Sequence, residues 1–200
     1  TLDEGDYPEE ASFTETERKA ILSLIASMQD SHVEVRIASA KALGQISRML
    51  SETVPALKRA LLDPEKTVRR AAVVAIGQIG VGAKPVFPKL LSLLDEEGND
   101  MRVEVIRAIP LVAPDDERNV SSLVQMVGST DAMVQLAAVI ALGQLGTNGA
   151  TAKDAIVGLL GDGKLDSTLS KETAKSLGRM GPPSIPLLFK MMESGQGALE

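Results

Sequence analysis

The chain has 200 residues, of which 44% are hydrophobic, with no Cys, no Trp and a formal net charge of −6. This length and apolar content suit one domain or one short array with a core of its own. The lack of Cys excludes disulfides, thiolate metal sites and cysteine nucleophiles. Residues 1–10 hold five acids and no base, so the rest of the chain is nearly neutral, which argues against a nucleic-acid partner.

No apolar run approaches the roughly 18 residues of a membrane span, so we expect no membrane insertion. The sequence has no initiator Met and no signal peptide, which indicates a mature product or an expressed fragment. The compartment stays open, with the cytoplasm favoured and an exported mature form as the alternative.

The two ends of the chain are predicted to be flexible. The acidic segment at 1–13 has two interpretations: a solvated leader to the first helix, which we favour, or an interaction segment centred on Tyr7. The tail at 194–200 ends in Leu199 and Glu200, which match a vector-derived end.

Self-similar stretches follow one another along the chain. They are VRIASAKALGQIS (35–47), VRRAAVVAIGQIG (68–80), VQLAAVIALGQLG (134–146) and, more loosely, LSKETAKSLGRMG (169–181), with a degenerate copy, MRVEVIRAIPLVA (101–113), in the middle. Their starts lie 33, 33, 33 and 35 residues apart. Such a fixed period is the signature of a repeat architecture.

Each copy is predicted to be the second of two antiparallel helices, A and B. Apolar residues recur in it at helical spacing, as at Val35, Ala38, Ala42 and Ile46, and we expect them to point inward. An amphipathic segment precedes each copy, such as AILSLIASM (20–28), and supplies helix A. The predicted array covers 14–193, with repeats at about 14–47, 51–80, 83–113, 115–146 and 149–181 and an extra helix at 184–193. Stacking such pairs buries a continuous core.

The shared pattern D-x-x-x-x-V-R-x-A-x-x-A-[LI]-G-x-[IL]-G resembles HEAT repeats, especially the short bacterial type also found in phycobilisome lyases. The resemblance implies an all-α fold, a right-handed α-solenoid of about five two-helix repeats plus one helix. It also implies a polar ladder in which Asp and Arg bond along the stack. The matching pairs are Asp30 with Arg36, Asp63 with Arg69 and Asp95 with Arg102. Gln135 and Ser170 replace the later Arg residues, so the ladder should weaken toward the C-terminus.

The glycine run in AIGQIGVGAK (75–84) could cradle phosphate or end a helix. A phosphate loop follows a strand, precedes a helix and has Ser or Thr after its Lys. Here Pro85 follows Lys84, and the run continues a helical pattern. We therefore expect Gly77, like Gly44, Gly143 and Gly178, to permit close helix approach, and Gly80 to end its helix.

Catalytic chemistry has little support in the sequence. His32 is the only histidine, and no cluster of histidines and carboxylates suggests a metal site. No cofactor is expected. A bilin-handling role, like that of the phycobilisome lyases, remains an alternative that the repeat type alone suggests.

The outer face of the B helices is the predicted binding surface. If the 35/38/42/46 positions point inward, the 34/37/41/45 positions and their equivalents point away from the pair. The HEAT resemblance places this face on the concave side, where apolar residues should be surrounded by bases. The predicted partner-binding residues are Arg70, Val74, Val103, Arg107, Leu111, Leu136, Ile140, Lys171, Lys175 and Arg179. The alternative is that helix packing buries part of this row.

Pro110 stands where the other copies have their helical Gly. Because Pro lacks an N–H and clashes with the preceding turn, we expect helix B3 to kink or end near Ile109, with a local break at 110–116.

Together these features predict a non-catalytic scaffold that binds a protein or peptide segment, with no nucleic acid as partner. Self-association stays open. The alternatives are the bilin-related role and a structural or regulatory segment of a larger protein.

Overall fold

The computed structural model describes residues 14–96, 98–153, 155–156, 158 and 167–193. Within these residues all regular structure is helical, which confirms the all-α prediction. The predictions for 1–13 and 194–200 concern residues outside this set. Much of the segment AKDAIVGLL (152–160), which the repeat pattern predicts as helix A of the fifth repeat, also lies outside it.

Contacts divide the chain into two compact units. Unit 1 comprises residues up to Glu97 together with Leu111–Ala113, and unit 2 comprises Gly98–Pro110 and the residues from Pro114 onward. The helices of the first part are α1 (Glu15–Ser27), α2 (Val33–Ile46), α3 (Leu50–Ala60), α4 (Lys66–Ile79) and α5 (Phe87–Glu96). Those that follow are α6 (Asn99–Val112), α7 (Arg118–Val127), α8 (Ala132–Gln144), α9 (Ser167–Arg179) and α10 (Ile185–Glu193). Short 3₁₀ segments cover Gly80–Val86, Gly146–Ala152 and Pro182–Ser184.

The first helix begins at a capping box. Thr14 Oγ1 accepts a hydrogen bond from the Glu17 N–H at 3.2 Å, and the Thr14 N–H donates to Glu17 Oε2 at 2.9 Å. Both bonds satisfy backbone or side-chain groups that the first helical turn leaves open. The start of α1 at Glu15 is therefore set by local sequence.

The core of unit 1 lies where α2 packs on α4. Gly44 faces Ala75 so closely that a Cβ at Gly44 would lie 2.6 Å from the Ala75 Cα. Leu43 and Ile76 are fully buried beside this contact. The glycine thus sets the distance between the two backbones.

The inward positions predicted for the first B helix are wrong. Val35 and Ile46 are 37% and 38% exposed, and the buried face of α2 is instead Ser39, Ala40, Leu43 and Gly44. The equivalents in α4, Val68, Ala71 and Ala75, are buried. The reason is that these positions meet the preceding B helix, as Ala75 meets Gly44, and among the described residues α2 has no such predecessor.

We call the close contact of two B helices at a glycine a joint. Unit 2 has an equivalent joint with different side chains. Helix α8 packs on α7 and on α9, and a Cβ at Gly143 would lie 2.7 Å from the Ser176 Cα. The expectation of close approach is thus confirmed at Gly44 and Gly143. It is wrong at Gly178, where a Cβ would meet no described atom within 4 Å.

The glycine run at 75–84 ends a helix. Gly80 closes α4 with φ of 69°, a left-handed conformation that Gly adopts without strain. Lys84 is exposed within the following 3₁₀ segment. The helix-end interpretation is therefore confirmed, and the run does not stand between a strand and a helix as a phosphate loop requires.

Helix α6 continues through Pro110 to Val112 and does not end near Ile109. The alternative of a kink there, and the local break at 110–116, stay predictions. Pro110 is buried, as are Ile109 and Val112, and this packing holds the last turn in place. The missing N–H of Pro110 still removes one backbone hydrogen bond from the helix.

The expectation that no apolar run approaches the length of a membrane span is also wrong. The stretch Lys66–Asp95 is long and apolar enough by composition, but half of its most apolar window is buried in the fold. It consists of α4, the Gly80–Val86 segment and α5, with Val73, Ile76 and Phe87 in the core. Core packing accounts for its apolar character.

The polar ladder has its first rung in unit 1. Arg36 donates from Nε and Nη2 to the two carboxylate oxygens of Asp63 at 2.8 and 3.0 Å, and from Nη1 to the Asp30 carbonyl at 2.9 Å. Such a bidentate pair is stronger than a neutral hydrogen bond. Burial raises the pKa of Asp63, but the hydrogen bonds from Arg36 and the Glu65 N–H outweigh it and hold that pKa below its ordinary value.

In unit 2, Arg102 of α6 keeps the Arg and donates from Nη1 to Asn99 Oδ1 at 3.1 Å, but the position is changed in α8 and α9. Gln135 donates from Nε2 to the Val127 carbonyl at 3.0 Å, and its amide cannot form the charged two-bond contact of a guanidinium. Ser170 is buried at the next such position. The weakening of the ladder toward the C-terminus stays a prediction.

Candidate partner-binding surface

The predicted outer face belongs to two units, which are described separately. In unit 1, Arg70 is exposed, Val74 is half-buried and Leu111 is 49% exposed. Lys41 and Gln78, at equivalent outer positions, are exposed too. This part of the surface mixes polar and apolar side chains.

In unit 2 the outer face is more sharply divided into an apolar part and a charged part. Arg107 is exposed, and Leu136 and Ile140 are half-buried. Val103 is only 8% exposed, so its prediction as a contact residue is wrong and it belongs to the packing beneath the face. The three bases of α9, Lys171, Lys175 and Arg179, are all exposed.

A shallow cleft of about 50 Å³ lies on this face. Arg107 of α6 lines it together with Met133, Leu136, Ile140 and Gln144 of α8. Drug-sized ligands occupy pockets of roughly 300 Å³ or more. The cleft is therefore suited to one inserted apolar side chain of a larger partner.

The position of α8 on this face is fixed at its first turn. Asp131 accepts hydrogen bonds from the Met133 and Val134 N–H groups at 2.9 and 3.1 Å, and from Asn99 Nδ2 at 2.9 Å. The Val134 N–H is the main cause that lowers the pKa of Asp131 below its ordinary value. The ionised carboxylate caps the helix and sets the direction in which Met133 and Leu136 project.

Two bases of this outer face form ion pairs with neighbouring acidic side chains. Arg107 Nη1 lies 3.6 Å from Glu104 Oε2, and Lys175 Nζ lies 2.6 Å from Glu172 Oε1. The basic member of each pair is exposed and the acidic member is half-buried, so Arg107 and Lys175 stay accessible to a partner's carboxylates. Lys171 and Arg179 lie at the same outer register as Leu136 and Gln144, one repeat later.

Met133 is the one cleft residue that the predicted set should have contained. It is 55% exposed and begins the same outer column as Leu136 and Ile140. The period of 33 places it at the position of Glu34, so the sequence carried the signal. The polar residues at this position in earlier copies concealed it.

The described residues show no catalytic or metal constellation. No group of three or more His, Cys, Asp or Glu side chains among them could hold a metal ion. His32 precedes α2 on the surface, where its Nδ1 lies 2.9 Å from Asp30 Oδ1. Asn119, Val120 and Ser121 form an N-x-S glycosylation sequon, but Asn119 is only 1% exposed and does not offer a glycosylation site in the folded chain.

Sequence comparison decides the family. A family model for HEAT repeats matches residues 21–109, 87–167 and 122–199. The chain belongs to the HEAT-repeat family. The match is to HEAT repeats in general and does not single out the lyase-related type. None of the curated proteins matches the chain.

Solved structures of similar fold agree with this HEAT-repeat assignment. An engineered protein matches with 20% identity and a TM-score of 0.60, over 88% of this chain and 87% of its own. The YibA protein of Escherichia coli matches with 20% identity and a TM-score of 0.67, over 91% of this chain and 65% of its own. A designed armadillo repeat protein in complex with the peptide (KR)4 matches with 20% identity and a TM-score of 0.61, over 83% of this chain and 84% of its own. At these identities the likeness shows the fold, an α-solenoid of HEAT or armadillo type.

Proposed function

We propose that this HEAT-repeat protein is a non-catalytic scaffold whose outer B-helix face in unit 2 binds an apolar, acid-bearing segment of another protein. The observation that carries the proposal is the cleft between Arg107 and the apolar residues Met133, Leu136 and Ile140. Exposed apolar patches with a charged rim are typical of interaction sites.

The chemistry of the expected partner follows from this face. Leu, Ile or Phe side chains of the partner fill the cleft and remove Met133 from water, because burial of apolar area is the main favourable term in association. Carboxylates of the partner then meet Lys171, Lys175 and Arg179, which steer the encounter and fix its orientation.

The positive charge of the α9 bases also predicts a peptide preference that differs from that of a similar designed protein. The peptide (KR)4 held by the similar designed armadillo protein consists of Lys and Arg. A peptide of that kind would be repelled by the three bases of α9. We therefore expect this chain to select the opposite charge.

A peptide selection tests this proposal. The full chain is presented with a random peptide display library, and bound peptides are sequenced. Asp and Glu should be enriched beside Leu, Ile or Phe, and basic peptides depleted. Enrichment of basic peptides, or no enrichment at all, contradicts the proposal.

A matched pair of variants tests whether the peptides bind to this face. In the first, Lys171→Glu, Lys175→Glu and Arg179→Glu are combined; in the control, Lys19→Glu, Arg59→Glu and Lys84→Glu change three exposed bases of unit 1. The first variant should bind the selected peptides at least about tenfold more weakly, and salt of about 1 M should narrow that difference by screening. Equal loss in both variants would show that net charge, not this face, governs binding.

A further inference from the structure

The methionines of this chain differ sharply in exposure. The sequence has eight of them, and the structure describes the burial of six. Met133 is 55% exposed. The other five described methionines are at most 9% exposed, and they are Met28, Met49, Met101, Met126 and Met180. Among the described side chains, Met133 is therefore the one methionine that is open to a dissolved reagent.

Met133 also lies where a change of polarity would matter. Its side chain lines the cleft of about 50 Å³ on unit 2, next to Leu136 and Ile140 of the same helix. The Met133 N–H donates to Asp131 Oδ1 at 2.9 Å, so the backbone is held at the first turn of α8 while the side chain projects into the cleft. A thioether is apolar and adapts its shape to a partner's apolar side chains.

Oxidation of the sulfur reverses this apolar character. When hydrogen peroxide reacts with a thioether, a sulfur lone pair forms an S–O bond and the peroxide O–O bond breaks. The second peroxide oxygen leaves as water with both hydrogens, so the sulfur is oxidised and the peroxide is reduced. The product, methionine sulfoxide, is polar, and methionine sulfoxide reductases convert it back to methionine.

The cleft offers hydrogen-bond donors to the new oxygen. Arg107 and Gln144 line the same cleft as Met133, and both are exposed. Their guanidinium and amide groups carry N–H donors that suit a strongly accepting oxygen. A sulfoxide held by these donors would cover the apolar floor formed by Leu136 and Ile140. The apolar side chain of a partner would then find no apolar surface to fill.

We propose that Met133 is a reversible oxidation site, and that its conversion to the sulfoxide by a peroxide closes the cleft of unit 2 to its partner. The inference rests on the proposed function, because the oxidised side chain acts on the same cleft. The selective oxidation of Met133 can be observed without any partner, so the two can fail separately.

Peroxide treatment of the full chain tests the oxidation site. Samples are taken over time, and peptide mapping by mass spectrometry assigns the added oxygen to each methionine. Met133 should be oxidised at least about tenfold faster than the five buried methionines, because burial excludes the reagent. Equal rates would overturn the site, whatever the chain binds.

Binding of the acidic, apolar peptides from the display selection tests the effect on the cleft. The oxidised chain should bind them about tenfold more weakly, because the partner loses an apolar contact of side-chain size. Reduction by methionine sulfoxide reductase should restore the affinity. Saturation of the chain with peptide should in turn slow the oxidation of Met133, since the coupling between the two events is reciprocal.

Two variants separate Met133 from the other methionines. Met133→Leu keeps an apolar side chain of similar volume, so it should bind like the parent and lose no affinity on peroxide treatment. Met133→Gln places a polar oxygen on a side chain of similar length, so it should bind weakly without any peroxide.

The remaining outcomes decide against the proposal or against its basis. A loss of affinity that persists in oxidised Met133→Leu would overturn it, because another methionine would then be the cause. Unchanged affinity of a chain fully oxidised at Met133 would overturn it as well. If the selection yields no peptide, the proposed function and the closing of the cleft both fail, while the oxidation rates still decide whether Met133 is the oxidation site.

Discussion

The joint between α2 and α4 in unit 1 and the joint between α8 and α9 in unit 2 share one geometry and differ in chemistry. A Cβ at Gly44 would lie 2.6 Å from the Ala75 Cα, and a Cβ at Gly143 would lie 2.7 Å from the Ser176 Cα. Opposite Gly44 stand the Ala75 methyl group and the side-chain oxygen of Gln78, an exposed residue. Opposite Gly143 stands a hydroxyl, and Ser176 Oγ has no hydrogen-bond partner among the described residues.

This difference shows that the glycine of the repeated motif and the residue that faces it have separate roles. The glycine fixes how closely two B helices approach, and that distance is kept in both units. The residue that faces the glycine decides whether a buried polar group at the joint is left without a hydrogen-bond partner. Thr173, one turn before Ser176 and also fully buried, leaves its Oγ1 unpaired among the described residues as well. We therefore expect unit 2 to keep the shape of the joint at a lower stability.

The largest expected effect comes from filling the glycines. Gly44→Ala and Gly143→Ala should each lower the free energy of unfolding by about 2 kcal/mol, because the new Cβ meets a backbone carbon that cannot move aside. Gly178→Ala is the control, since its Cβ would meet no described atom within 4 Å, and it should stabilise the helix by up to about 1 kcal/mol. Urea unfolding measures all three. Equal effects at the three glycines would contradict the proposed role of close approach.

Substitutions at the two residues that face the glycines test whether the unpaired hydroxyl lowers stability. Ser176→Ala removes an unpaired buried hydroxyl and should raise the free energy of unfolding by about 1 kcal/mol. Ala75→Ser introduces one at the equivalent place and should lower it by about 1 to 2 kcal/mol. Thermal unfolding of both variants checks the signs. If Ser176→Ala destabilises, its hydroxyl is satisfied and the two joints are alike.

The smallest expected effect concerns Asp63 of the polar ladder, and it is measured as a change of stability with pH. The pKa of Asp63 is lowered in the folded chain, so its contribution to stability is present above the ordinary value of 3.8 and is lost as the pH falls through the lower folded value. Asp63→Asn should be less stable than the parent at pH 7, and the difference should shrink between about pH 5 and pH 2. Melting temperatures across that range measure it. Glu34→Gln, which changes an exposed carboxylate on α2, serves as the matched control.

Much of the fold follows from the sequence because the repeat period reports geometry directly. The spacing of 33 located the B helices, and Gly80 ended α4 as its position predicted. The repeat alignment, with its spacing of 35 before the last copy, placed Leu136, Ile140 and the bases of α9 on one outer register, where they are half-buried or exposed. A period carries this information because each repeat meets the same kind of neighbour.

The errors arose where a neighbour differs. Val35 and Ile46 were assigned to the core because their equivalents pack against a preceding helix, which the described part of the first repeat lacks. Val103 was assigned to the outer face by register, yet it is only 8% exposed. Helix α6 continues through Pro110 because buried contacts outweigh the loss of one backbone hydrogen bond. None of these outcomes depends on the local sequence alone.

We propose that the outer face of unit 2 binds an acid-bearing segment. It is tested most directly by titrating an acidic, apolar peptide from the display selection into the ¹⁵N-labelled full chain. We expect the amide signals of Leu136, Ile140, Lys171 and Lys175 to shift in proportion to the peptide bound. In the Lys171→Glu, Lys175→Glu, Arg179→Glu variant the same shifts should need at least about tenfold more peptide. Shifts confined to other helices, or unchanged in that variant, would contradict it.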